Sequence, residues 1–144
     1  MTLSDEIEHV TAYLQIEKAR FQESLQIDIQ IPEHLATARL PAFSLQPMVE
    51  NAIKHGTSQL LGIGKITIRA HQEDHLIVIE ISDNAGLYHS QGASHQLGLG
   101  MRLVDKRIKL RYGDLYGVLV ECQPDNYTKI KICLPLEKNM DNAA

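Results

Sequence analysis

Asn51, Lys54 and His55 stand at i, i+3 and i+4 in the run Leu45-Gln-Pro-Met-Val-Glu-Asn-Ala-Ile-Lys-His-Gly56. On a helix that spacing projects a carboxamide, an ammonium and an imidazole from about one turn of surface, with Glu50 one position round. Such a cluster suits an anion or a metal-bound group. The alternative is a solvated helix face that only keeps the protein soluble. Two further stretches carry residue types of related use. Ile-Glu-Ile-Ser-Asp83-Asn84-Ala85-Gly86 closes an apolar run on an acid and a glycine turn. Leu97-Gly98-Leu99-Gly100-Met101 opens a second helical pattern, where free backbone N–H groups and the helix dipole favour negative charge.

Periodicity indicates the elements that must hold these groups. Met48, Val49, Ala52 and Ile53 form an apolar stripe opposite the polar one, so residues 45–56 read as an amphipathic helix laid on a sheet. Ser44 is its expected cap, Pro47 is tolerated in the first turn where its missing N–H has no intrahelical partner, and Gly56 ends it. An earlier helix is expected from an N-cap at Ser4, with Asp5 and Glu6 in its first turn, to about Gln22. Leu25, Ile27, Ile29 and Ile31 alternate as a half-buried strand stopped by Pro32, and Ala38 to Leu40 is a second short extended piece.

Strands are also expected over Ile66 to Ala70 and Leu76 to Ser82, joined by Gln72-Glu73-Asp74, the second apolar enough to be central. The spacing then predicts a helix from Leu99 to about Arg111, closed by Gly113, with Leu99, Leu103, Ile108 and Leu110 mostly buried. Tyr116 to Cys122 and Thr128 to Leu134 follow as a hairpin across Pro124-Asp125-Asn126. Residues 87–97 have no periodicity and are a candidate lid, with an ordinary surface loop as the alternative; the chain after Pro135 is expected to be disordered. The sum is an α/β two-layer sandwich of a mixed, mostly antiparallel sheet and three helices.

Composition narrows the function classes. The 144 residues suffice for one domain with a core, and a net charge of -4 with scattered Lys and Arg argues against a nucleic-acid surface. The one basic run, Arg102, Lys106, Arg107, Lys109 and Arg111, reads as a solvated face that also tilts the local potential towards an anion. No apolar run approaches the ~20 residues that cross a bilayer, so no membrane contact by this chain is expected. Cys122 and Cys133 read as small hydrophobes in strands, as in a reducing cytoplasm, and the seven histidines show no zinc spacing; His9 is taken as surface.

In their order along the chain, the three polar stretches resemble the nucleotide-binding boxes of the GHKL ATP-binding fold, shared by sensor histidine kinases and gyrase. The spelling of residues 45–56 is similar to the LytS-type histidine kinases in particular. The resemblance covers nearly the whole chain and implies a catalytic fragment that binds ATP with Mg2+. It divides the chain into residues 1–24, the end of a helical dimerisation region or linker helix, a catalytic domain over 25–136, and a tail over 137–144.

The resemblance also implies roles. Asp83 reads adenine, since a carboxylate accepts from the exocyclic amine that guanine lacks. Gly86 lets the backbone pass close to the base, Gly98, Leu99 and Gly100 meet the phosphates, and Asn51 holds the metal through a neutral oxygen suited to a hard cation. Lys54 neutralises phosphate charge, while His55 either bonds a phosphate or packs on the lid. Glu50 acts on a water or an incoming histidine, or only pairs with Lys54. Thr128 supports Asp83 through its hydroxyl.

The chain departs from the resembled pattern at Ala85, Leu87 and Tyr127, where the family carries glycines, and at Pro47, where gyrase-type hydrolases carry a general-base glutamate. It contains no Pro-His-Phe phosphoacceptor motif. The expected function is therefore γ-phosphoryl donation to a histidine on an upstream dimerisation region, for onward transfer to a response regulator of the LytTR type. The full-length protein is expected to be membrane-anchored with this part in the cytoplasm. The alternative is a degenerate nucleotide-binding or scaffolding module without phosphotransfer.

Overall fold

The structure, a computed structural model, describes residues 1–87 and 98–136. The expected lid, apart from Leu87, and the expected disordered tail, apart from Leu136, lie outside the described residues. In chain order the elements are α1 (Leu3–Phe21), β1 (Leu25–Gln30), α2 (Gln46–Lys54), β2 (Gly64–Glu73), β3 (Leu76–Asp83), α3 (Leu99–Tyr112), β4 (Gly117–Gln123) and β5 (Tyr127–Pro135). The strands form one sheet in the order β1-β2-β3-β5-β4. Only β1 and β2 pair in parallel; the other three pairings are antiparallel. The expected two-layer sandwich is the observed one.

Strand alternation decides which side the helices cover. Ile66, Ile68 and Ala70 of β2, Ile77, Ile79 and Ile81 of β3, and Ile130, Ile132 and Leu134 of β5 point to one face and are buried. They meet Leu3, Val10 and Leu14 of α1, Met48, Val49, Ala52 and Ile53 of α2, and Met101, Val104 and Ile108 of α3 in a single core. Each such side chain contributes roughly 1.5–3 kcal/mol by leaving water, so this face dominates the fold's stability. The other face carries ion pairs such as Arg69 with Asp28 at 3.6 Å and Lys131 with Glu80 at 3.9 Å, which at such exposure contribute little.

Five local expectations are corrected. The cap of α1 is Thr2, not Ser4: Thr2 Oγ1 accepts from the Asp5 N–H and Asp5 Oδ2 accepts from the Thr2 N–H, both at 3.1 Å, a reciprocal capping box. Ser44 does not cap α2, because its hydroxyl donates to the Pro41 carbonyl. The entry to α2 is held from another helix: Glu6, buried in α1, accepts from the N–H of Phe43 at 2.9 Å and of Leu45 at 3.0 Å. A negative charge there also complements the positive end of α2. Phe43 sits at φ 61°, unusual for a large side chain, and one Glu6 oxygen fixes it there.

The third correction concerns the β2–β3 turn. Glu73 pairs with Leu76, so only Asp74 and His75 make the connection, with Asp74 at φ 54°. The fourth is the buried face of α3. Ile108 is buried as expected, but Leu99, Leu103 and Leu110 are exposed, and Met101 and Val104 enter the core in their place. His9, expected at the surface, is half-buried: it hydrogen-bonds Gln46 Oε1 and meets the Phe43 ring edge-on at 5.1 Å. Cys122 and Cys133 are unpaired and half-buried, opposite Thr128 and Gly117 at different ends of the β4–β5 hairpin. Among the described residues no helix is long and apolar enough to cross a membrane.

Candidate functional site

The sheet packs against the apolar stripe of α2, which leaves Glu50, Asn51, Lys54 and His55 on the side facing the start of α3. These four, with Pro47 and with Gly98, Leu99, Gly100 and Met101, line a cleft of ≈ 220 Å³. Seven of the ten residues expected to form a site therefore meet in one place. Pro47 and Met101 complete the walls; neither had been assigned a place in it. Gly100 explains how the two helices come together, because a Cβ there would lie 2.9 Å from Pro47 Cβ. Gly98 precedes α3, and among the described residues nothing lies nearer to its Cβ position than Met101 Cε at 4.0 Å.

Polar groups in the cleft are lightly held. Glu50 Oε1 accepts from Gln46 Nε2 at 3.0 Å, and its other oxygen lies 3.6 Å from Lys54 Nζ, the i,i+4 pairing anticipated from spacing. His55 follows the last residue of α2, and its N–H donates to the Asn51 carbonyl at 2.9 Å. The Asn51 carboxamide has no hydrogen-bond partner among the described residues. A half-exposed amide oxygen and a nearby ammonium form a donor set that fits a phosphate-bound divalent cation and a phosphate oxygen, respectively.

The remaining three expected residues form a second cluster behind the C-terminal end of α2. Asp83 ends β3 and is only 5 % exposed. It makes an Asx-type turn, since Asp83 Oδ1 accepts from the N–H of Ala85 at 2.9 Å and of Gly86 at 3.3 Å. Burial pushes the Asp83 carboxyl above the usual carboxylate range, and the N–H groups of Ala85, Gly86 and Thr128 pull partly against that. Thr128 lies directly opposite Asp83 in the sheet. Its support is delivered by the backbone N–H, while its hydroxyl donates to Cys122 Sγ at 3.5 Å; the expected hydroxyl contact to Asp83 is corrected accordingly.

Gly86 adopts φ 65°, and a Cβ there would strike Gln123 O at 2.4 Å and Asn126 N at 2.5 Å. A close approach it permits is thus to the β4–β5 turn, with Gly86 O accepting from the Asp125 N–H at 3.0 Å. Asn84 ties the same corner down, accepting from the Lys65 N–H at 2.7 Å and donating to Ile63 O at 3.0 Å.

Gly56 joins the two clusters, and its role was read in sequence only as a helix stop. A Cβ on Gly56 would lie 2.4 Å from Ala52 O and 2.8 Å from Asp83 Oδ2. The absence of a side chain is what lets the carboxylate sit against the end of α2, one residue beyond His55. The cleft itself stops short of Asp83, which is not among its lining residues.

No family profile matches the sequence. The chain is 60% identical over 135 residues to the sensor histidine kinase BtsS of Escherichia coli strain K12, a match covering 94% of this chain and 24% of that protein. It is 32% identical over 147 residues to the sensor protein LytS of Streptococcus agalactiae serotype V, covering 94% and 25%. The chain thus spans about a quarter of the length of the curated relatives it matches. Among solved structures, the histidine kinase domain of a blue-light activated kinase from Erythrobacter litoralis superposes with a TM-score of 0.68 at 15% identity, covering 98% of this chain and 64% of that one. The histidine kinase ThkA, solved in complex with the response regulator TrrA, gives 0.65 at 17% identity, covering 95% and 41%. In sequence and fold, then, the chain belongs to the LytS-type sensor histidine kinases, as a segment of their catalytic domain.

Proposed function

We propose that the chain binds Mg-ATP between α2 and the start of α3 and, within a longer protein, donates the γ-phosphoryl group to a histidine on an upstream dimerisation region. Residues 25–136 form the catalytic unit in this reading, and residues 1–24 are the end of the helical region that carries the acceptor. In the transfer the histidine nitrogen bonds to the γ-phosphorus, the bond to the β–γ bridging oxygen breaks, and ADP leaves with that electron pair. A response regulator, of the LytTR type by family resemblance, takes the phosphoryl group onward. The cytoplasmic side of a membrane-anchored protein is the proposed location.

The observation that carries the reading is the convergence of Asn51, Lys54 and the Gly98–Gly100 opening of α3 on one cleft, with the buried carboxylate of Asp83 behind the same helix end. Asp83 accepts from the adenine amine, using the oxygen beside Gly56. Asn51 holds the magnesium ion, which when bound neutralises phosphate charge. Lys54 contacts a phosphate oxygen and the N–H groups at Gly98, Leu99 and Gly100 contact others; His55 borders the phosphates. Glu50, held by Gln46, is a positioning residue for Lys54. Thr128 and Gly86 act through Asp83 and the corner around it.

Calorimetric titration with ATP and GTP tests the binding half. Micromolar affinity for ATP, weaker binding of GTP and loss of that preference in Asp83→Asn are expected; equal affinities, or an unaffected variant, would reject the site. Supplying the upstream region and looking for acid-labile, base-stable phosphate on histidine tests the transfer half. Binding without transfer would favour the scaffolding module instead.

A further inference from the structure

The polar side of α2 continues beyond the cleft to α1. Gln46, the first residue of α2, stands one turn before Glu50, and its Nε2 donates to Glu50 Oε1 at 3.0 Å. Its Oε1 faces His9 Nε2 of α1 within hydrogen-bonding distance. A carboxylate only accepts, so Glu50 fixes the amide with its nitrogen inward and its oxygen towards His9, and that oxygen requires a proton on His9 Nε2. A chain of donors therefore runs one way, from His9 through Gln46 to Glu50. The other Glu50 oxygen lies 3.6 Å from Lys54 Nζ.

The α1 end of this chain is built in. Phe43 meets both Glu6 and His9, donating its N–H to the first at 2.9 Å and setting its ring edge-on to the second at 5.1 Å. Tyr13, one turn further along α1, lies near the same carboxylate: burial first, and then the charges of Glu17 and Glu50, hold its phenol above the usual tyrosine range. The cleft end is looser. At 3.6 Å the Glu50–Lys54 pair is beyond hydrogen-bond reach, although its i,i+4 spacing lets two free side chains close fully. Gln46 lies one turn before Glu50 and Lys54 one turn after, so the bond to Gln46 draws the carboxylate away from the ammonium.

We propose that His9 and Gln46 are positioning residues for the α2–α3 cleft, holding the Glu50 carboxylate back from Lys54 so that the ammonium can meet a phosphate oxygen. Neither residue lines the cleft; His9 acts through Gln46, and Gln46 through Glu50. Without the chain of donors, Glu50 closes on Lys54 and competes with the nucleotide for it. The inference rests on the reading of that cleft as the nucleotide site, and adds to it a control exerted from α1.

Calorimetric titration with Mg-ATP tests this through a double-mutant cycle. His9→Phe keeps a ring against Phe43 without the donor, and Gln46→Met keeps the length without the hydrogen bonds. Each is expected to weaken binding about fivefold, and His9→Gln, whose amide returns an N–H near the Nε2 position, to restore most of it. In a Glu50→Gln background neither substitution should matter, because a neutral amide does not capture the ammonium. A weakening that persists there is a packing effect and would overturn the proposal, as would unchanged affinity in both single variants. If the unsubstituted chain binds no ATP, the reading of the cleft falls and the inference with it; ATP binding that ignores His9 and Gln46 sinks the inference alone. Nitrogen NMR of the His9 ring in the unsubstituted chain gives a readout independent of how the variants fold: Nε2 is expected to carry a proton, and an unprotonated Nε2 would reject the chain of donors.

Discussion

The α2 face of the cleft and the corner around Asp83 are neighbours built in opposite ways. Asn51, Lys54 and His55 are half or fully exposed, and their side chains make at most one ion pair among the described residues. Asp83 is buried, bonded by the N–H groups of Ala85 and Gly86 and pressed against a glycine that admits no side chain. A group that must follow phosphates and a metal ion tolerates loose tethering, since its partners supply the order on binding. In the proposed site the group that reads one face of a base must stand still beforehand, and burial with hydrogen bonds to one oxygen provides that. The difference predicts that substitutions in the corner damage fold and binding together, while those on α2 damage binding alone.

The largest effect should come from Gly56→Val. Its Cβ would overlap Ala52 O and Asp83 Oδ2, so about 3 kcal/mol of stability should be lost in urea unfolding and ATP binding should disappear. A stable variant that binds ATP normally would break the link between the two clusters. Next is Asp83→Ala, which leaves the Ala85 and Gly86 N–H groups without their acceptor and should cost roughly 2–3 kcal/mol, with Asp83→Asn costing less because one oxygen remains. Equal stability of all three proteins would show that the corner is not over-determined.

Lys54→Ala sharpens the contrast from the other side. Its stability should match the parent within about 0.5 kcal/mol, since an exposed pair at 3.6 Å contributes little, while ATP affinity falls about tenfold. A fall in stability comparable with that of Asp83→Ala would remove the distinction.

The smallest effect is in the pH dependence. Because burial raises the Asp83 pKa above 3.8, the folded state holds this proton more tightly than the unfolded chain. Asp83 therefore detracts from stability as pH rises from 3.8 through its folded value, and protonation on the acid side relieves that cost. In the proposed site ATP binding would run the other way, because it is the ionised form that would accept from the adenine amine. Affinity should fall on acidification at a higher pH than an exposed aspartate would give, and Asp83→Asn should flatten that step. A step that persists in the variant belongs to another group.

Much of this arrangement was readable along the chain. The stripe Met48, Val49, Ala52 and Ile53 has one solution on a helix, and the opposite face follows without reference to anything else. Strand alternation is similarly local, which is why the β3 isoleucines and the β4–β5 hairpin stand where expected. α3 shows the limit. Met101, Val104 and Ile108 fit the helical repeat, but so do Leu99, Leu103 and Leu110, and only the position of the sheet decides which set is covered. Caps failed for a related reason: Thr2 and Ser4 both precede helical sequence, and the group that holds the start of α2, Glu6, lies 39 residues before Leu45.

Residue order was thus enough to settle the kinds of element, their succession and the polar residues on each, because these follow from short-range backbone geometry and the spacing of apolar side chains. Contacts between segments distant in the chain settled the rest: that Pro47 meets Gly100, that Asp83 sits on Gly56, that Thr128 supports it by its backbone, and that His9 reaches Glu50 through Gln46. Those outcomes depend on packing distances of a few tenths of an ångström and on which groups lose access to water, quantities that exist only once the chain has closed on itself.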